Sequence, residues 1–326
     1  MNTRRKLLKG LALAAVSAPL QLPSIAFSQS GRIGRIVVGV PPGGSLDFVA
    51  RLLAEQLREG TGRNVIVENK PGAALRIAIE AVVAAEADGS VLLLTPATML
   101  TIYPYIYKNL KYDPFKDLAP VSNAVTFDFA FAVGPSTPAA NIREFAAWAK
   151  ANPKSAAFAS PANGSAPHFL GVMLAKRLGI VLNHIPYKGA APAVQDLLGG
   201  QVASGMLPIG DVAQHHRSGK LKVLATTGTK RAKLLPDVPT LRESGIDVEG
   251  KEWYGLLAPA GTPLPVRESL SAMVQKGMRR PEVAERVASI GFEPTPSTPA
   301  EFASLIKADF DAWGPIVKET GFTVDE

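Results

Sequence analysis

The stretch Pro41-Pro42-Gly43-Gly44-Ser45-Leu46-Asp47 constrains this chain most. It follows the apolar run Ile36-Val37-Val38 and opens the amphipathic run Phe48-Val49-Ala50-Arg51-Leu52-Leu53-Ala54-Glu55-Gln56-Leu57. That order reads as a strand, a glycine turn and a helix N-terminus. Glycine lets a backbone come close to a ligand. The first N–H groups of a helix lack partners within it and lie at the positive end of its dipole. A carboxylate or phosphate can therefore sit there without a cationic side chain. Ser45 is the expected N-cap, and Asp47 suits the first turn. An ordinary tight strand–helix connection has the same local signature.

The same alternation continues along the chain. Val65-Ile66-Val67, Val91-Leu92-Leu93-Leu94, Phe129-Ala130-Phe131-Ala132-Val133, Ala156-Ala157-Phe158-Ala159, Leu221-Lys222-Val223-Leu224-Ala225 and Trp253-Tyr254-Gly255-Leu256-Leu257 read as strands. Ile142 to Ala151, Pro167 to Leu178, and three late segments around 266–277, 282–290 and 299–319 read as helices. Strands alternating with helices predict an α/β fold with mostly parallel sheets. No repeat of fixed period and no low-complexity segment interrupts it.

The 326 residues, 47% hydrophobic, are enough for two modest cores or one large one. Thr3-Arg4-Arg5-Lys6-Leu7-Leu8-Lys9, followed by an apolar run to Phe27, reads as an export signal with a twin-arginine-like motif. Pro19 and Pro23 argue against a membrane-spanning helix, and Ala26-Phe27-Ser28 offers a cleavage point before Gln29. A general secretory signal that carries two arginines is the alternative. The segment 1–28 is thus set apart from the fold, and the mature protein is expected free in the periplasm. Loss of Arg4, Arg5, Lys6 and Lys9, with no acid, lowers the formal charge from +7 to +3. With basic residues scattered, no nucleic-acid partner is expected. The absence of cysteine excludes a disulfide and a lipid anchor on Cys.

A second small-residue loop, Ser160-Pro161-Ala162-Asn163-Gly164-Ser165-Ala166-Pro167-His168, again lies between a strand and a helix. Ser165 is placed to cap, and Pro167 suits a first turn, where its missing N–H costs nothing. His168 is placed either to donate to a ligand or to cap its own helix. The four histidines lack metal-ligand spacing, and His184, in a strand before Pro186, reads as structural. No G-x-S-x-G elbow, P-loop or G-x-G-x-x-G occurs, so neither a catalytic serine nor a nucleotide or other cofactor is indicated.

Further segments recur in a particular order: Val67-Glu68-Asn69-Lys70-Pro71-Gly72-Ala73, Asp88-Gly89-Ser90-Val91-Leu92-Leu93 and Tyr112-Asp113-Pro114-Phe115-Lys116-Asp117-Leu118-Ala119-Pro120-Val121. Then come His184-Ile185-Pro186-Tyr187-Lys188-Gly189, Asp196-Leu197-Leu198-Gly199-Gly200-Gln201-Val202 and Leu235-Pro236-Asp237-Val238-Pro239-Thr240. From about Ile36 to the C-terminal helix the chain resembles the Bug-type solute receptors of tripartite tricarboxylate transporters. The resemblance implies a two-lobed periplasmic-binding-protein fold, each lobe a mostly parallel sheet flanked by helices, with a ligand cleft between lobes. Lobe one would hold 33–126 and 253–326, and lobe two 127–252. It also implies a carboxylate pinched between two loops, here Gly43, Gly44, Ser45, Leu46 and Asp47 from one side and Ser160, Asn163, Gly164, Ser165 and His168 from the other. Thr98 and Tyr187 are further expected contacts, though Tyr187 has the alternative of packing its own turn.

The chain departs from that pattern at Ala74-Leu75-Arg76-Ile77-Ala78, where glycines are usual, and at Ala203, where an Asp often stands. Arg76 is expected either to meet a second carboxylate or to snorkel to solvent. The expected activity is capture of a small organic carboxylate by a monomeric receptor, serving membrane transporter subunits or a sensor protein, with no catalysis. The alternative is an exported α/β hydrolase using Ser165 and His168, a pair that lacks an orienting acid.

Overall fold

The computed structural model describes residues 34–324, so the expected export signal and its cleavage point lie outside the described residues. The chain begins with β1 (Gly34–Val38), α1 (Ser45–Thr61), β2 (Val65–Asn69), α2 (Arg76–Val83), β3 (Val91–Pro96), α3 (Thr98–Thr101), α4 (Tyr103–Ile106) and the long β4 (Leu118–Val133). It continues through α5 (Ile142–Ala151), β5 (Ala157–Ser160), α6 (Ala166–Leu178), β6 (Asn183–Pro186), α7 (Ala190–Leu198), β7 (Ser204–Pro208), α8 (Ile209–Arg217) and β8 (Lys222–Thr226). Last come β9 (Lys251–Pro259), α9 (Leu264–Met278), α10 (Pro281–Ala288), β10 (Glu293–Pro294) and α11 (Pro299–Thr320).

The strands run β2-β1-β3-β9-β4-β7-β5-β6, with β8 and β10 also on β4. Pairing is parallel among β2, β1 and β3 and among β7, β5 and β6. At the centre it is antiparallel, because β9 runs against both β3 and β4. The expected parallel character therefore describes the flanks and not the middle. β4 belongs to both flanks: Leu118 to Asp128 pair with β9, and Phe129 to Val133 pair with β7 and β8.

Burial explains the strand sequences. Ile36, Val37 and Val38 of β1 are all buried, as befits a parallel strand covered on both faces. α1 turns Leu46, Val49, Leu53 and Leu57 inward and packs on β1, β2 and α9. The first half of β4 carries Pro120, Ser122 and Asn123, and its register against β9 shifts at these residues. Their polar atoms are satisfied from the segment before α11: Ser122 Oγ donates to Ser297 O, and Asn123 Nδ2 donates to Thr295 Oγ1.

The topology places four helix starts together. α1, α3, α6 and α8 each begin just beyond the C-terminal end of a strand, β1, β3, β5 and β7 respectively. Ligands of open α/β sheets bind outside such strand ends.

Candidate functional site

Gly43 has φ 103°, a conformation that favours glycine, and open space where a Cβ would stand. The next residues are enclosed. Asp47 is 4% exposed, and its carboxylate accepts from Gly43 N, from Asn69 Nδ2 at 2.9 Å, and from Arg51 Nε and Nη2 at 2.9 and 3.0 Å. Burial raises its pKa, but these donors together hold it below the ordinary value. Asp47 thus braces the glycine turn from within. Ser45 is not the N-cap: Gly44 is, and Ser45 is the first helical residue. Its groups are spent elsewhere. Ser45 N donates to Asp211 Oδ1 at 2.7 Å, and Ser45 Oγ donates to Asp211 Oδ2 at 2.6 Å. Tyr254 OH lies 3.0 Å from the same Ser45 Oγ.

Asp211 stands in the first turn of α8, and Tyr254 on β9 beside the stacked rings of Phe127 and Phe292. Two residues before Tyr254, on the same face of β9, Glu252 accepts from Thr98 N at 2.9 Å and Thr98 Oγ1 at 2.7 Å. That hydroxyl in turn accepts from Ala166 N, the first N–H of α6, at 3.0 Å. So Thr98 joins the α3 start to the α6 start, and Ser45 joins the α1 start to α8. Burial raises the pKa of Asp211 to about 6 and that of Glu252 to about 7, since neither has an ion-pair partner among the described residues.

On the α6 side, Ser165 is the N-cap, but its hydroxyl donates to Ala162 O at 2.7 Å. Ser160 Oγ donates to Ala162 O as well and lies 2.7 Å from His184 Nε2. Gly164 N donates to His168 Nδ1, a contact within the start of its own helix that leaves the proton of the neutral ring on Nε2. The His168 and His184 rings stack with centroids 3.7 Å apart. Burial lowers their pKa values to about 4 and about 3, so both are neutral near pH 7. A Ser165–His168 dyad is not formed, because each partner is engaged elsewhere. Asn163 contributes its carbonyl to Tyr103 OH at 3.1 Å.

Tyr187 donates to Asp196 of α7 at 2.7 Å. Gly189, just after it, comes against Val40 and Pro41 of the first loop. Arg76 is half-buried: its guanidinium carbon is 4.2 Å from the Tyr107 ring centre, and Nε donates to Ala73 O. Leu75, not glycine, packs against Gly39. Thr98, an expected ligand contact, is bonded here to Glu252 and Ala166, and the sequence reading did not single out Asp211, Glu252 or Tyr254. The one signal for them was an acid at a strand boundary, Ile209-Gly210-Asp211 and Glu252-Trp253-Tyr254.

Residues 49–322 match the family described as tripartite tricarboxylate transporter family receptor. The chain is 33% identical over 323 residues to Protein BugT of Bordetella pertussis, covering 98% of this chain and 99% of that one. It is similar to the periplasmic binding protein BugD, at 36% identity and a TM-score of 0.86, over 90% of this chain and 99% of that chain. The structure of R. palustris Rpa4515 with adipate aligns at 26% identity and a TM-score of 0.86, over 90% of this chain and 99% of that chain.

Proposed function

The chain belongs to the tripartite tricarboxylate transporter receptor family, and from that membership we infer that it is a periplasmic receptor for a small organic carboxylate. Lobe one is 33–126 with 253–326, lobe two is 127–252, and the ligand lies between them. The observation that carries this reading is the meeting of the α1, α3, α6 and α8 starts across β4 and β9. Ser45 N, Thr98 N and Ala166 N are already bonded within the protein, and the later first-turn N–H groups, which their own helices cannot satisfy, are what remains for an anion. Together they favour an anion without a single cationic side chain at the centre. The adipate complex of a relative supports a carboxylate as that anion.

Capture works by closure, in which contacts made only in the closed form shift the population towards it. The membrane subunits of a tripartite transporter are the partner that reads the closed form. The receptor acts as a monomer, is exported by its N-terminal segment, and turns over nothing. The hydroxyl of Ser165 lacks a base, which supports binding without hydrolysis.

The test is a thermal-shift screen of purified mature protein against mono-, di- and aminocarboxylates. A ligand at one hundred times its dissociation constant stabilises the fold by about 2.7 kcal/mol. A carboxylate that raises the melting temperature in proportion to the logarithm of its concentration is the expected result. Ester hydrolysis that vanishes in Ser165→Ala would overturn the reading.

A further inference from the structure

The group that holds the α1 N-terminus is the protein's own carboxylate. Asp211 takes Ser45 N at 2.7 Å and Ser45 Oγ at 2.6 Å, one oxygen each, the two-point contact that an incoming carboxylate would make. Ser45 has a single hydroxyl proton, and ionised Asp211 claims it. Tyr254 OH must then donate to Ser45 Oγ, so the chain of hydrogen bonds runs Tyr254 to Ser45 to Asp211 and ends on the acid. Glu252, on the Tyr254 face of β9, adds a second carboxylate whose donors come from Thr98. Among the described residues neither acid has a cationic partner; near pH 7 Asp211 is mostly ionised and Glu252 about half so, and that charge is uncompensated.

A ligand entering here meets donors already taken and two acidic groups, of which Asp211 is the more fully ionised near pH 7. A second carboxylate on the ligand would compete with Asp211 for Ser45 and be repelled by both acids. A protonated amine would supply the missing counter-charge and donate to whichever acid oxygens remain open. We propose that Asp211 is a specificity-determining residue: it closes the α1 end of the cleft to a second carboxylate, so that the cargo is a carboxylate whose far end is a protonated amine. The ligand's carboxylate then lies towards the first turn of α6. This deepens the receptor reading above and rests on it.

Calorimetric titrations with α,ω-dicarboxylates, ω-amino acids and plain monocarboxylates of three to eight chain atoms test it. The proteins are wild type, Asp211→Asn and Asp211→Ser, each first checked by its melting curve. The serine variant serves if the amide misfolds. At matched length, the wild type is expected to bind the amino acid at least ten-fold more tightly than the diacid. Either substitution should weaken the amino acid about ten-fold and strengthen the diacid. A wild type that prefers the diacid, or a preference unmoved by both substitutions, overturns the role of Asp211 and leaves the receptor intact. If no compound of any of the three series binds the wild type, the receptor reading itself falls.

Discussion

Three consecutive residues without glycine's freedom, Ala73, Ala74 and Leu75, have φ of 44°, 49° and 71°. In that left-handed region a Cβ crowds the following carbonyl, at about 1–2 kcal/mol per residue. The resemblance expected glycines at this place, and the backbone keeps a shape that glycine would adopt freely. Leu75 repays part of the strain by burial, 5% exposed and packed on Gly39. Ala74, half-buried, has less to offset it. Ala74→Gly should therefore stabilise the fold by up to about 1 kcal/mol, the relief less glycine's larger unfolded-state entropy. Ala147→Gly, on the exposed side of the regular helix α5, should cost about 1 kcal/mol instead. Urea melts of the two variants read opposite signs if the strain is real, and a loss in both refutes it. The departure from glycine was legible in the sequence. Its consequence was not, since a run of Ala and Leu carries no mark of left-handed backbone.

Elements were legible where one signal dominated. α5 runs Ile142–Ala151 as expected, because Asn141 accepts from Arg143 N and Glu144 N at its start and Pro153 stands just past its end. α11 begins at a capping box of Thr298 and Glu301. The first half of β4 was missed because Pro120, Ser122 and Asn123 look like a loop until the segment 295–297 satisfies them. β9 was read as a strand over 253–257, but its antiparallel direction was missed for a different reason: strand direction is a property of connections, which a period-two pattern does not encode. The candidate site was half legible. Its glycine turns come from local sequence, whereas Asp211 and Ser45 are 166 residues apart and meet only through the fold. Packing between elements makes its own prediction. Gly171 of α6 lies against Phe158 of β5, and a methyl there would collide with the ring. Gly171→Ala should lift α6 off its strand and destabilise by about 1–3 kcal/mol. Phe158→Leu in the same chain should restore part of that loss. Additive losses in a double-mutant cycle would show that the two residues do not share the space.

For the whole molecule, four buried or half-buried groups, Asp211, Glu252, His168 and His184, set how stability answers to pH. Asp211 and Glu252 are raised to about 6 and about 7, so the folded state binds protons more readily than the unfolded chain there. Their contribution is fully present below the unfolded carboxylate pKa and is lost as pH rises through 6 and 7. His168 and His184, lowered to about 4 and about 3, act in the other direction. The unfolded chain takes up their protons first, so stability falls as pH drops below about 6.5. Between about pH 4.5 and 6 the two acids and two histidines nearly cancel, and the wild type should show a shallow profile across that window. Asp211→Asn removes one acid and leaves both histidines, so its stability should rise with pH by up to about 1.4 kcal/mol per unit more than wild type. His184→Gln keeps a polar partner for Ser160 and removes one histidine, so its stability should fall with rising pH across the same window. The slopes, taken from urea melts at pH 4.5, 5.5, 6.5 and 7.5, are independent of any constant loss from the substitution itself. Three parallel profiles would mean that these groups titrate as they do in water, and that the acids and histidines between the two halves of the sheet are not desolvated in the folded protein.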